Sequence, residues 1–570
     1  MADARRSHSR LVRTGLFGTL LFAALLAGTP RAQAHAALLA TSPVDGSVSG
    51  AQPQQVTLRF NEAVTVLPQS IQLLDAAGHS VRIGKPRHLA GSADTAAAEL
   101  PSGMHEGTYV VSWRIVSTDS HVVSGAFQFS IGTPSAAVAT VGRRSSEVAP
   151  VVKTMGEGLA YLGLAVTVGG TVLLGLLLPA GRRPRRARLV VWAGFAALAL
   201  GTVAALLAQY PYSTGGAMTS AFSADALRTT LSTAVGKASL ARLGILAVLA
   251  VAVAFLVRGR ADAAARPSPV ARVVVGACLL ALPLTWTLAD HSHTGEQVWL
   301  AVPVASVHLL AVALWLGGLV LLAACAVGAD LGSERLRATA LALPRFSRLA
   351  LPCFTVIVLT GLYQTWRQVG TLPALGATEF GRLLLVKVGG VLLVVVLAWQ
   401  ARRFVQRQLT RTAVSAHAWR VMRRSLGVEA LLGVAVLAVA TLLVNTAPAR
   451  TSYAPPVRAE IGIPVAGAHS PLGGGHVEVR LTPAKQGLNI ADIYLVARDG
   501  SLVSVPDVSA QLAPTRAGSP AEQIKVSAAE PGHYVASTVS IPYAGKWLLQ
   551  LYVRTSEFDE TPVLVRFRAH

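Results

Sequence analysis

Acidic residues and cysteine are both scarce in this chain. Its 570 residues hold 28 Asp and Glu against 50 Lys and Arg, and three cysteines. Each cysteine lies inside an apolar run, which excludes a disulfide framework, so any exported part is held by packing alone. Charged residues make up 14% and apolar ones 52%, too apolar for one soluble globule, and a membrane protein is the default. The formal net charge of +22 would suit nucleic acid. The arginines, however, stand in short clusters between apolar runs, a pattern that loop topology explains, and nucleic acid is not an expected partner. No Gly-x-x-x-x-Gly-Lys-Ser/Thr loop for nucleotide occurs, and no cytoplasmic domain is expected to hold one, so no energy-coupling signature is present. No internal repeat stands out.

What is present divides into five segments. Residues 1–34 have a basic start (ARRSHSRLVR), an apolar stretch from about Leu16 to Ala27 and AQA at 32–34, the pattern of a secretory signal. Cleavage after Ala34 would make His35 the first residue of the mature chain; cleavage after Ala36 is the rival. From 35 to 133, VTLRF, SIQLLD, TYVVSWRIVS and VVSGAFQFSI alternate with period two between turn residues, which predicts a small antiparallel β-sandwich. Residues 134–150 read as a linker. Eight apolar stretches follow within 151–449, near 156–179, 189–209, 240–257, 273–289, 302–326, 349–367, 383–401 and 425–446, each about long enough to span a bilayer as a helix. From 450 to 570, VEVRLTP, IYLVAR, HYVASTV, KWLLQLYV and VLVRFRA predict a second exported β domain.

Loop charge sets the orientation. The loops at 180–188, 258–272, 327–348 and 402–424 carry twenty arginines, whereas the alternate loops carry only Arg228, Lys237 and Arg382. The positive-inside rule places the first set in the cytoplasm and both ends of the bundle outside. The signal segment leads independently to the same orientation.

His35 is the residue on which chemistry turns. An N-terminal histidine offers its α-amine and its imidazole to one metal, a chelate no internal histidine can form. In STDSHVVSG at 117–125, Asp119 and His121 lie two apart and project to one side of an extended segment. One amine, two imidazoles and a carboxylate suit Cu(II).

These residues also carry a resemblance. HAALLATSPVDGS, VTLRFNEAV and GTYVVSWRIVSTDSHVVSGAFQFSIG, across 35–132, resemble the CopC family of periplasmic copper-binding β-sandwiches. The resemblance implies that His35, Asp119 and His121 are the Cu(II) ligands and that Glu62, in FNEAV, is either an acid near the metal or a solvated turn carboxylate. Some members bear a methionine-rich Cu(I) loop; this domain departs from them, with Met104 its one methionine. SVHLLAVALWLGGLVLL at 306–322, RFSRLALPCFTVIVLTGLYQTW at 345–366, FGRLLLVKVGGVLL at 380–393 and SLGVEALLGVAVLAVATLLVNTAPAR at 425–450 resemble the CopD family of inner-membrane copper proteins. A CopC–CopD fusion with a further tail resembles the YcnJ type, linked to copper acquisition, and the tail resembles a YtkA-like domain.

Within the bundle, topology assigns depths. Asp290, His291 and His293 (LADHSHTGE) end the fourth stretch on the outer side, and His308 lies about two turns into the fifth from that side. They form either a mouth that receives copper or a solvated loop beside one hydrogen-bonding histidine. Cys278, Cys325 and Cys353 are all expected in the inner leaflet, where thiolates would suit Cu(I) in a relay site or serve as small apolar residues. Lys387 and Glu429 fall at different depths and are not expected to pair; Lys387 is placed to snorkel outward. His469, His476 and His533 in the tail are expected in surface loops.

The expectation is a multi-pass inner-membrane copper protein with both β domains outside. It would capture Cu(II) and pass copper inward between an external donor and a cytoplasmic acceptor. Sequestration for copper resistance, without transport, is the alternative. An oxidase is disfavoured, because Asp119 would help fill the copper plane and 35–133 offers no aromatic substrate surface; no enzymatic activity is expected.

Overall fold

The computed structural model describes residues 36, 38–45, 47–117, 122–135, 148–177, 185–258, 269–289, 297–326, 334–409, 416–453, 455–463, 472, 474–515, 521–543, 545–555 and 559–569. The N-terminal domain is a two-sheet sandwich. One sheet contains β1 (Leu38–Ser42), β3 (Gln55–Phe60), β8 (Ser92–Glu99) and β7 (Arg87–Leu89), in the order β1-β3-β8-β7. The other runs β2 (Ser47–Ser49), β10 (Val122–Ile131), β9 (Gly107–Ser117), β5 (Ile71–Leu74) and β6 (Ser80–Val81), with β4 (Val64–Thr65) also on β9. All pairings are antiparallel except β2 with β10.

The period-two pattern explains the core. Phe60, Leu58, Trp113, Ile115 and Phe129 alternate inward and are fully buried, and Trp113 meets Phe60 edge-on at 5.5 Å between ring centres. β9 is the central strand, and its outward residues Val110, Ser112 and Val116 are buried too. Arg114 stands among them on that outward face.

The middle of the chain is helical. Among the described residues eight helices are long and apolar enough to cross a membrane. They are α1 (Val148–Val172), α2 (Arg185–Thr214), α4 (Ala234–Arg258), α5 (Pro269–Thr287), α6 (Val298–Ala326), α7 (Glu334–Val369), α9 (Glu379–Leu409) and α10 (Ala416–Val444). Short helices α3 (Ala224–Ser232), α8 (Pro373–Ala377) and α11 (Ala449–Ser452) lie between or after them. Lipid offers no hydrophobic gain between helices, so close backbone approach does the packing. A methyl group at Gly163 would strike the α2 backbone at Leu198, and one at Gly317 would strike the Ala165 carbonyl of α1. These glycines let α1 pack tightly on α2 and α6.

The C-terminal domain is a second antiparallel sandwich. One sheet orders β11 (Val457–Gly462), β12 (His476–Thr482), β13 (Gly487–Val496), β17 (His533–Ile541) and β16 (Ser527–Glu530) as β11-β12-β13-β17-β16. The other orders β15 (Glu522–Ile524), β14 (Asp507–Pro514), β18 (Gly545–Arg554) and β19 (Glu560–Ala569) as β15-β14-β18-β19. Tyr543, in the turn before β18, packs on this core and also on the N-terminal one.

Candidate metal site and the outer cavity

His35, Asp119 and His121 lie outside the described residues, as do Asp290, His291, His293 and His469. The frame around the 118–121 loop is described. β9 and β10 pair without interruption from Gly107↔Ile131 to Val116↔Val122, and residues 118–121 connect these two strands in sequence. Ser117, the last residue of β9, donates its hydroxyl to the Glu62 carboxylate, which ties Glu62 beside the end of that strand.

The hairpin is fixed to the bundle. Arg114 donates from Nε to the Ser213 carbonyl at 2.9 Å and from Nη2 to the Tyr212 carbonyl at 2.7 Å. Both carbonyls belong to the last turn of α2, where helical carbonyls have no partner within the helix and the helix dipole favours a cation. Lys153 of α1 sits 5.0 Å above the Tyr212 ring. Its Nζ donates to Glu157 Oε1 at 2.6 Å and to Asn445 Oδ1 at 2.8 Å, while Asn445 Nδ2 donates to Glu157 Oε2 at 2.6 Å. The N-terminal end of α1 and the C-terminal ends of α2 and α10 thus meet in one polar cluster under the sandwich.

A cavity of about 180 Å³ lies in the same half of the bundle. Gln368, Phe380 and Val444 line it near the helix ends, and Leu316 and Gly433 line it deepest. Its polar lining includes His308, Lys387, Gln364 and Thr441. Thr441 also receives, at its carbonyl, the Asn445 amide of the polar cluster.

His308 is tied to the neighbouring helix. Its Nδ1 lies 2.8 Å from Thr360 Oγ1, whose hydroxyl also faces the Val356 carbonyl of its own helix, and the Ile357 backbone faces the ring as well. A Thr360 hydroxyl that donates to Val356 accepts from Nδ1, the arrangement that leaves Nε2 with the lone pair. A second-shell hydrogen bond of this kind is how proteins orient an imidazole to bind metal.

Three expectations change. Lys387 lines the cavity with His308 instead of snorkelling away, and no described residue offers it a hydrogen bond or ion pair. The three cysteines are buried but not gathered: among the described residues no group of three or more His, Cys, Asp or Glu could hold a metal. Cys353 lies within the long helix α7, Glu334–Val369. Cys325, by contrast, is the penultimate residue of α6. In the tail, His476 and His533 stand on strands β12 and β17, not in loops. His533 Nε2 lies 3.0 Å from Asp492 Oδ1 and stacks on Tyr494 at 4.3 Å.

Sequence reasoning missed Thr360, Gln364 and Gln368. Their spacing of four along α7 is a polar stripe in an apolar helix, and that period was the available signal.

Comparison with known proteins follows this geometry. The CopC domain model matches residues 38–132, and the model for Copper resistance protein D (CopD) matches residues 340–443. Copper transport protein CutJ of Bacillus subtilis is 25% identical over 545 residues, covering 93% of this chain and 95% of that protein. Copper resistance protein C of Pseudomonas syringae pv. tomato is 33% identical over 116 residues, 20% of this chain and 91% of that protein. The crystal structure of CopC from Methylosinus trichosporium OB3b covers 18% of this chain and 95% of its own, at 30% identity and a TM-score of 0.16. Through its N-terminal sandwich the chain belongs to the CopC family, and it carries a CopD domain in the same polypeptide, within a bundle of eight candidate membrane spans.

Proposed function

We propose that this protein captures copper outside the membrane on its N-terminal sandwich and passes it inward through the outer cavity of the bundle. His35, Asp119 and His121 bind Cu(II), with Glu62 beside them, after cleavage behind Ala34 frees the His35 amine. Copper then moves by way of His291 and His293 to His308. Both β domains lie outside the cytoplasm, and the YtkA-like tail braces the sandwich through Tyr543. The observation that carries this reading is the Arg114 contact. It holds the hairpin whose tip bears Asp119 and His121 at the end of the bundle where the His308 cavity lies.

The resistance names of one matching family and one relative favour a second reading, sequestration without transport. Copper accumulated by copper-limited cells separates the two. The comparison is between the intact protein, a deletion, and a His35→Ala/His121→Ala double variant. Lower cytoplasmic copper in both altered strains supports import; equal or higher copper supports sequestration.

A further inference from the structure

The outer cavity is chemically one-sided. Among its described lining residues there is no Asp, Glu, Cys or Met, and Lys387 is the one formal charge. Lys387 has no hydrogen-bonding or ion-pair partner among the described residues. Gln364 Nε2 is buried with no partner either. The lining therefore offers one imidazole, that of His308, and otherwise only neutral oxygens, beside uncommitted N–H donors on two further helices.

A second cation lies just behind the wall. Arg242 of α4 is buried, its guanidinium 3.3 Å from the ring centre of Trp286, which lines the cavity. Its described bonds go to the Thr285 hydroxyl at 3.0 Å and the Thr285 carbonyl at 3.3 Å, not to a carboxylate.

A bare copper cation suits this setting poorly. Trp286, Trp315, Phe354 and Phe380 make apolar walls, and between such walls two like charges repel far more than in water. A buried donor left unsatisfied costs free energy, as does a buried ammonium without an acceptor. An anion bound to the metal removes both penalties, since it offsets the copper charge and accepts from Lys387 and Gln364. The volume fits as well: about 180 Å³ holds several groups the size of water, whereas one ion fills little of it.

We infer that the cavity takes copper as a complex bearing an anionic co-ligand, a halide or a carboxylate. His308 Nε2 binds the metal, and the Lys387 ammonium and the Gln364 amide hold the anion. The inference rests on the reading that copper enters the bundle, and it adds the chemical form of the cargo. No electron transfer is involved; the metal exchanges one donor for His308 and keeps its anion.

The test uses the full chain in detergent, carrying His35→Ala/His121→Ala to silence the sandwich site. Copper is supplied as Cu(II) nitrate at matched free-copper concentrations, alone, with sodium chloride, or with sodium acetate. Bound copper is counted by mass spectrometry after equilibrium dialysis, and the binding lost in His308→Gln defines the cavity site. Chloride, acetate or both should tighten that site roughly tenfold or more, and the arm that does so identifies the anion. Lys387→Gln should bind copper without anion dependence, and Lys387→Arg should restore it. Equal affinity in all three media, or anion dependence surviving in Lys387→Gln, overturns the inference while leaving copper entry intact. Absence of any His308-dependent copper in every medium overturns copper entry and the inference together. Retained helical content and a single gel-filtration peak qualify each variant for comparison.

Discussion

Arg114, on the outward face of the central strand of the sandwich, donates to the backbone carbonyl of Tyr212 at 2.7 Å, in the last turn of α2. The contact joins two independently packed cores through a charge-assisted bond to a helix end. Such bonds are worth about 1.5–3 kcal/mol. Arg114→Ala should leave the sandwich folded, because Arg114 takes no part in its apolar core. Hydrogen exchange should quicken at residues 210–214, and copper accumulation in limited cells should fall. Accumulation equal to that of the intact protein would show that docking has no role in delivery.

The Thr360 hydroxyl lies 2.8 Å from His308 Nδ1, which on the proposed route leaves Nε2 for the metal. Loss of an outer-shell partner of this type costs about 10- to 100-fold in metal affinity. Thr360→Val keeps the shape and removes the acceptor, so His308-dependent copper binding should weaken by about that factor, and Thr360→Ser should recover it. Equilibrium dialysis of the full chain with the sandwich site silenced is the measurement. Full affinity in Thr360→Val would remove Thr360 from the site.

How far the sequence could be read depends on the kind of information each element carries. Alternation in VTLRF and TYVVSWRIVS is local, and those segments are strands β3 and β9 with Leu58, Phe60, Trp113 and Ile115 turned inward. The eight apolar stretches are helices for the same reason. Depth along a helix also follows from residue counting, which is why His308 was singled out. The direction a side chain faces around the helix does not, so Lys387 looked like a snorkelling residue and is in the cavity wall. The Arg114 contact lies between residues about a hundred apart in sequence, and no local pattern announces it.

The Lys153–Glu157 pair is mostly enclosed, with side chains 11% and 21% exposed. Breaking a buried pair leaves one uncompensated charge, whereas replacing both members with apolar groups can be nearly neutral. Glu157→Ala should therefore destabilise the bundle by about 3 kcal/mol, and Lys153→Met/Glu157→Leu by less than either single change. Thermal unfolding in detergent, arranged as a double-mutant cycle, gives the comparison. Additive losses would show that the two side chains are not coupled.

Acid should loosen the turn between β5 and β6 only below the ordinary carboxylate range. The Asp75 carboxylate accepts from the backbone amides of His79 at 2.8 Å and Ala77 at 3.0 Å and faces the His79 ring at 3.4 Å. The His79 amide, first among these, holds its pKa below the usual 3.8. A depressed carboxylate contributes stability above its unfolded pKa and loses it as pH falls through the folded one. Amide protection at residues 77–79 should hold down to about pH 4 and fade below it, while in Asp75→Asn, whose Oδ1 still accepts, protection should no longer vary with pH across that range. Hydrogen exchange read by mass spectrometry distinguishes this from a turn that opens near neutral pH.

Gly125 sets how closely β10 can pass the principal core ring of the sandwich. A methyl group there would lie 2.6 Å from Trp113 Cζ2 and 2.8 Å from Cε2. Trp113 cannot retreat, since it is fully buried and rests edge-on against Phe60. Overpacking of this kind costs about 1–3 kcal/mol. Gly125 is paired directly with Trp113, three pairs from the Val116↔Val122 end of the ladder that leads into residues 118–121. Gly125→Ala should therefore weaken Cu(II) binding by the sandwich at temperatures where its amides remain protected. Unchanged Cu(II) affinity together with a lowered melting temperature would mean that the packing supports the fold without setting the geometry of residues 118–121.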